Sequence, residues 1–551
     1  MEQDNKEKLL NLMTNKYPAL WAMKHKTIKG KPLTFVSSHN PFANRPWQQE
    51  LLNDTHPNKV IQKSRQLGLS EMAVTEALWF ADVHDNVNIM YTFPTKQQME
   101  DFSKTRIDPV LMASPYLQSK LNKKLNNVST KAIGTSNLFM RTSGDGSQGE
   151  GADIDMYCAD EYDRMKDGVE LAFAESLTSS KYGLMRRWST PTVPGRGINA
   201  LFLKSDQKTY LHKCEHCNTW QEITMDSIFQ IKKDGVNKLT GEIEKGTFEF
   251  LCKKCKRPLN RWKPGEWVAK NKNVKDLRGY FISQLNATHI SADKIKKREY
   301  QYTSKQLFNN YVVGMPYANT SLLVSEEDVK NMITLENEEF SRRDNYIGYV
   351  AGIDWGEPSW VVVLGLTRNY RIQVVSLKAF FRSETQPLYD VKCMISHLKP
   401  FNPNLIIADA GYGADKNTEL LRSFPYATYT CTWKTLINPH SPIHFTDRWN
   451  ESTRMVTVDK TSKMQRTLQS VKMGFIGFYT WNDEMTQTIA KHLKNVRILD
   501  NEKDGIVYQS ATRVGPDHLA CCLSYGLIGI DRLTQYGTNI SQGYKMEFIN
   551  P

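Results

Sequence analysis

Residues 63–71 read Lys63-Ser64-Arg65-Gln66-Leu67-Gly68-Leu69-Ser70-Glu71, and the fold class turns on how this stretch is understood. A phosphate-cradling loop follows G-x-x-x-x-G-K-[ST]: backbone N–H groups wrap the phosphates, a lysine reaches the terminal ones, and a hydroxyl faces Mg²⁺. Gly68 and Ser70 stand in register with that pattern. Leu69 occupies the lysine position, and Lys63 occupies that of the first glycine. The cation has moved to the front of the loop, with Arg65 close by. Lys63 is expected to be the main phosphate cation, Arg65 being the competitor because its planar fork also suits phosphate. Ser64, Gln66 and Leu69 are counted with them as nucleotide contacts. Ser70 to Phe80 predicts a helix whose N-terminal dipole points at the phosphates. Alone, the stretch reads equally well as a plain strand–turn–helix corner.

Its surroundings decide. Upstream, Gln48 precedes the predicted strand 59–62; an amide that both donates and accepts suits adenine, although a surface role is the simpler reading. Downstream come a strand at 86–93, a helix at 95–102, a strand at 137–142, and then Met156-Tyr-Cys-Ala-Asp160-Glu161. An apolar strand ending in Asp-Glu is a Walker B arrangement. Asp160 and Ser70 would hold Mg²⁺, and Glu161 would accept a proton from the attacking water. The combination of loop, Asp-Glu strand and alternating β/α pattern points to an ATPase with a parallel sheet flanked by helices. A further strand at 184–188 runs into Ser189-Thr190-Pro191, a hydroxyl pair that either senses the γ-phosphate or makes an ordinary turn.

At 551 residues the chain exceeds one hydrophobic core. Its 72 Lys and Arg against 59 Asp and Glu give +13, which favours a polyanionic partner or simply a basic soluble surface. The N-terminus lacks a continuous apolar segment, and no apolar run approaches 18 residues, so neither secretion nor a membrane span is expected. Nine cysteines include two C-x-x-C pairs, Cys214/Cys217 and Cys252/Cys255, 34 residues apart. Four thiolates suit tetrahedral Zn²⁺. His212 and His216 are alternative ligands, and four unligated thiols the plain alternative. The Lys-rich stretch 253–275, with Trp262 and Trp267, is either a nucleic-acid contact or a solvated face.

The second half restarts a β pattern. Strand 349–354 ends in Asp354, strand 359–365 is its predicted hairpin partner, and strand 405–409 ends in Asp409. Asp517-His518 opens a helix running to about Gly529. Gathered carboxylates repel unless divalent ions neutralise them, so Asp354, Asp409 and Asp517 read as a two-metal (Mg²⁺ or Mn²⁺) RNase H-like nuclease site. His518 is expected to face its helix surroundings, orienting a ligand or water being the alternative.

Together these features resemble the large terminase subunit of tailed bacteriophages, over about Pro46 to Gly529. The loop is similar to the terminase branch with a lysine at its front. Arg278-Gly-Tyr-Phe-Ile-Ser-Gln-Leu285 and Val313-Gly-Met-Pro-Tyr317 resemble the family's interdomain segments, and Asp517-His518 with Tyr525 its last nuclease motif. That motif usually carries an acid where Cys521 stands, and the usual Arg-Gly before Walker B is here Gln148-Gly149, which leaves Arg141 as the candidate arginine finger. The polar, mildly amphipathic residues 1–38 read as an arm or small helical extension, and beyond them the expected domains are a P-loop ATPase core (39–205), a zinc-ribbon-like insert (206–275), a linker or lid (276–345), an RNase H-like nuclease (346–531) and a tail (532–551). The resemblance implies ATP, Mg²⁺ or Mn²⁺, and Zn²⁺. Its partners would be double-stranded DNA, a small terminase subunit and a portal ring, in a homo-oligomeric ring in the host cytoplasm. Two other readings compete: a non-catalytic DNA-binding or docking protein with a decayed ATPase fold, which Leu69 favours, and a cellular repair helicase–nuclease, which the lack of a second motor half disfavours.

Overall fold

A computed structural model describes residues 2–541, except 29, 144–152, 166–168, 238–241, 303, 318–321, 334–345, 369–370, 435–446, 479, 481 and 504–505. The chain divides after Tyr317 into two compact units.

The first unit is built on ten described strands: β1 (Asn58–Lys63), β2 (Asn88–Phe93), β3 (Thr130–Ile133), β4 (Ser136–Thr142), β5 (Met156–Asp160), β6 (Leu184–Ser189), β7 (Lys208–Lys213), β8 (Trp220–Glu222), β9 (Glu266–Ala269) and β10 (Arg278–Ile282). They run β8-β7-β10-β1-β6-β5-β2-β4-β3, with β9 also on β7. From β10 through β4 neighbouring strands are parallel, as the β/α alternation predicts. The crossovers bury both faces of the sheet, and a parallel sheet needs that cover.

Two placements differ from expectation. The stretch 276–345, expected to be a linker or lid, contributes β10 to the middle of this sheet, in register with β1 from Arg278↔Lys59 to Ile282↔Lys63. The expected arm or small helical extension is helical, with α1 (Glu2–Lys16) and α2 (Pro18–His25); the departure is that its second helix packs into the core. Trp21 is buried and donates from Nε1 to Asp82 Oδ2 at 2.8 Å, and Lys26 is buried against Glu71 and Thr75. After α3 (Pro46–Asn53), α4 (Leu69–Val83) starts one residue before the predicted Ser70.

The second unit holds an eight-stranded sheet of β11 (Tyr346–Asp354), β12 (Ser359–Thr367), β13 (Ile372–Phe380), β14 (Leu405–Asp409), β15 (Thr428–Lys434), β16 (Arg448–Asn450), β17 (Met455–Asp459) and β18 (Ile476–Gly477). Its order is β16-β17-β15-β14-β11-β12-β13-β18. The pairs β11/β12 and β12/β13 are antiparallel, whereas β11/β14 and β14/β15 are parallel. Helix α5 (Ala414–Ser423) follows β14, and the C-terminal helix α6 (His518–Ser541) is longer than predicted. Gly352 of β11 lets α6 lie close: a Cβ there would meet the Cys522 carbonyl oxygen at 2.0 Å. No described helix is long and apolar enough to cross a membrane.

Candidate functional site

The loop between β1 and α4 is bent by two residues in the left-handed region, Gln66 (φ 60°) and Gly68 (φ 76°). Gly68 caps α4 and lies beside the Gln48 amide, 3.2 Å from where its Cβ would be. Leu69 is 2% exposed within the core, which explains why the usual lysine position is apolar here. The cation comes from Lys63 at the end of β1. Its Nζ lies 3.7 Å from Glu161 Oε1, so the displaced lysine faces the Asp-Glu turn. Arg65 stacks on Tyr311 while its charge still acts on Glu161: its guanidinium lies 3.4 Å from the Tyr311 ring centroid, and its backbone N–H donates to the Tyr311 carbonyl at 2.9 Å.

Asp160 ends β5, and Glu161 takes a left-handed φ of 54°, so two consecutive carboxylates turn to different sides. Burial pushes the Asp160 carboxyl up to about 6 against the pull of Lys63, and the Ser70 hydroxyl bonds to it. Burial works against ionised Glu161 as well, but Lys63, Arg164 and Arg65 outweigh it and hold its pKa below the ordinary carboxylate range. The result is one ionised carboxylate able to take a proton, beside a second paired with the loop serine. Ser64 Oγ and Thr190 Oγ1 are buried here and find no hydrogen-bond partner among the described residues. Orphaned buried hydroxyls beside a phosphate loop fit a polar ligand such as a Mg²⁺-bound nucleotide. A cavity of about 520 Å³ adjoins Gly68, lined by Leu33, Phe35, Arg45, Gln48, Met72 and others. Gln48 lines it, although its Nε2 donates to the Leu67 carbonyl at 2.9 Å and so braces the loop.

One residue here was not singled out in the sequence. Asp163, buried, accepts from Thr192 N (2.9 Å) and Oγ1 (2.8 Å) and from Ile198 N (2.6 Å), while its own N–H donates to Ser189 Oγ. It ties the Asp-Glu turn to the Ser189-Thr190 segment; the only signal was its spacing two residues after Glu161. Arg141 donates to the carbonyls of Ser129 and Met140 at 2.9 and 3.0 Å, on a strand separated from β1 by β2, β5 and β6. Gln148 and Gly149 lie outside the described residues.

The sulfurs of Cys214, Cys217, Cys252 and Cys255 all lie within 4.8 Å of one another. Each pair sits in a tight knuckle: Asn218 N bonds to the Cys214 carbonyl and Lys256 N to that of Cys252, both at 2.9 Å, with Asn218 and Lys256 left-handed. Four converging thiols fit one tetrahedral Zn²⁺. Neither histidine joins them: His212 is buried against Asn286 Nδ2 at 3.2 Å, and His216 lies outside the cluster.

In the second unit, Ile353 pairs with Ala408, so Asp354 and Asp409 follow side by side at the ends of β11 and β14. Asp409 accepts from the Gly411 and Tyr412 N–H groups at 3.1 Å and from the Tyr525 hydroxyl at 3.0 Å. Asp517, just before α6, pairs with Arg513 at 3.2 Å. Burial raises the Asp354 pKa against the opposing pull of His518, and Asp409 and Asp517 add to the rise. Asp409 and Asp517 thus lie near enough to act on Asp354, but among the described residues only the four cysteines form a closed metal-binding group. His518, contrary to expectation, turns into the site and bonds Asp354 Oδ2 from Nδ1 at 2.7 Å. Cys521 is buried one turn on, its Sγ 3.8 Å from Asp517. A buried Lys416–Asp390 pair with Ser359 also lies outside the sequence reading, beside Asn417, which donates to the Asp409 carbonyl.

Residues 31–270 match the family model described as phage terminase large subunit gpA, ATPase domain. No curated protein matches the sequence. Among solved structures, the large terminase of bacteriophage HK97 is 10% identical, covering 93% of this chain and 99% of its own, with a TM-score of 0.48. The large terminase of a thermophilic bacteriophage, solved in complex with ADP, is 12% identical over 87% of this chain and 97% of its own (TM-score 0.31). The ATPase domain of the Thermus phage P74-26 large terminase is 14% identical over 48% of this chain and 91% of its own (TM-score 0.31).

Proposed function

From its terminase-type ATPase unit, we infer that this chain is the motor subunit that packages viral DNA. It hydrolyses ATP to drive double-stranded DNA into a procapsid and cuts concatemeric DNA with its second unit. The observation that carries this reading is the pairing of Lys63 with Glu161 across the loop. An apolar residue at the lysine position is the argument for a decayed fold. A cation delivered to the same carboxylate from the front of the loop answers it.

In this reading Glu161, held ionised by its cationic neighbours, takes the proton of the attacking water, and Lys63 faces the phosphates. Ser70 and Asp160 are the groups that would hold Mg²⁺, which supplies charge neutralisation at the phosphates. Asp163 would carry the state of the Asp-Glu turn to Ser189 and Thr190. The four cysteines would hold a structural Zn²⁺, all four positions being filled by protein.

The nuclease assignment is supported by the strand order β13-β12-β11-β14-β15, three antiparallel strands followed by two parallel ones, which is the RNase H arrangement. It is supported too by two aspartates at adjacent strand ends and a third at a helix start. Asp354, Asp409 and Asp517 would hold Mg²⁺ or Mn²⁺ ions, which activate water and stabilise the leaving oxygen. His518 would orient the Asp354 carboxylate. A small terminase subunit, a portal ring and a ring of like chains are the partners this role requires, in the host cytoplasm. Asp409→Ala should abolish Mn²⁺-dependent cleavage of plasmid DNA while ATP turnover stays near wild type. Cleavage at the wild-type rate would remove the three-carboxylate site and leave the ATPase reading standing.

A further inference from the structure

We propose that the surface around the four-cysteine cluster grips duplex DNA by its phosphate backbone, an inference that rests on the packaging reading above. Residues 207–275 carry 15 Lys and Arg against 8 Asp and Glu, so this stretch supplies +7 of the chain's +13. Four thiolates around one Zn²⁺ would bring about −2, which leaves the excess positive.

The excess is concentrated at the knuckles. Lys253 and Lys254 lie between Cys252 and Cys255, and Lys256 and Arg257 follow directly; all four are exposed. Lys213 precedes Cys214 and pairs across the hairpin with Trp220, which is 39% exposed, its Nζ 5.9 Å from the ring. Because the four sulfurs converge, the backbone segments that carry these five cations meet at one small centre. Of the neighbouring acids, Glu215 pairs with Lys263 and Glu244 with Lys232, while Glu222 lies within the field of Lys270 and Lys253. Among the described residues, Lys253, Lys254, Lys256 and Arg257 form no ion pair.

Lysine is a compact, strongly hydrated charge, suited to phosphates rather than to reading base edges. A rigid knuckle fixes the backbone from which these charges project, so little backbone ordering is needed on binding. The surface therefore suits a sequence-independent hold on duplex DNA, as a translocating motor needs.

The test uses the full-length, zinc-loaded chain and a short fluorescent duplex, with binding followed by anisotropy across a range of KCl concentrations. The variant carries Lys253→Gln, Lys254→Gln and Lys256→Gln; the control carries Lys104→Gln, Lys123→Gln and Lys124→Gln, equally exposed lysines of the same unit. Each lysine that no longer neutralises a phosphate should take ~0.9 from the slope of log Kd against log salt. The variant should therefore lose about 2–3 from that slope and weaken at least ~10-fold near ~0.1 M salt. The control should stay within about twofold of wild type, as expected when its lysines neutralise no phosphate. An unchanged slope in the variant, or an equal loss in the control, overturns the proposal. Zinc content and DNA-free ATP turnover report folding; Lys254→Gln alone, with an expected slope change of about 1, serves if the triple variant is misfolded. Wild-type protein that binds DNA but lacks ATP turnover would instead refute the motor reading.

Discussion

At the scale of single residues, the candidate ATPase site holds buried charge that the fold would be more stable without. Asp160 is 5% exposed, with its pKa raised from 3.8 to about 6. The unfolded chain releases this proton at lower pH than the folded one. Ionisation of Asp160 therefore costs nothing below about pH 3.8, and its cost grows until about pH 6 and is constant above it. Asp160→Asn should stabilise nucleotide-free, Mg²⁺-free protein at pH 8 by about 2–3 kcal/mol, read as a higher melting temperature. The gain should fade as the pH falls toward 4. Paired thermal melts at the two pH values check this; a lower melting temperature for the variant at pH 8 would mean that Asp160 stabilises the empty fold. The same scale shows what the sequence could not convey. The displaced cation and the Asp-Glu pair were legible from spacing. The turn of His518 onto Asp354, and of Arg65 onto Tyr311, depends on partners 164 and 246 positions away.

At the scale of elements, strands and helices were readable because their apolar patterns are local, and most boundaries fell within a few residues, the end of α6 excepted. Pairing was harder. β1 reads Asn-Lys-Val-Ile-Gln-Lys, a weak strand by composition, yet it lies inside the sheet. Its Lys59 is buried because Glu76 Oε1 at 3.0 Å and the carbonyls of Leu51 and Asp54 satisfy it, while Arg186 shares the same glutamate at 2.7 Å. Such a network compensates buried charge only when all members are present. No local pattern announces it, nor the entry of β10 beside β1 from more than 200 positions downstream. The junction of β11 with α6 gives a sharper test. A Cβ on Gly352 would sit 2.0 Å from the Cys522 carbonyl oxygen and 2.6 Å from the Gly526 nitrogen, both backbone atoms. Gly352→Ala should therefore push α6 off the strand, cost about 1–3 kcal/mol or more, and displace Asp517 from Asp354 and Asp409. Urea unfolding and Mn²⁺-dependent plasmid cleavage should report this as a lower midpoint and a slower cut, with ATP turnover retained. Unimpaired cleavage would show that the helix start need not lie against β11.

At the scale of the whole molecule, each unit has its own hydrophobic core and its own carboxylates at strand ends, Asp160 in the first and Asp354 and Asp409 in the second. The division of labour proposed here follows from that: the first faces a displaced lysine and a phosphate loop, the other two stand side by side at adjacent strand ends. The central claim is that the altered loop still drives hydrolysis, with Lys63 and Glu161 as its working pair. Steady-state ATP hydrolysis by the full chain, with and without duplex DNA, for wild type and Glu161→Gln, measures it most directly. DNA-stimulated turnover is expected in the wild type. The variant should bind ATP as tightly and turn it over about 10²–10⁴-fold more slowly, the loss expected for a general base. Wild-type turnover by Glu161→Gln, or none by either protein, would contradict the account.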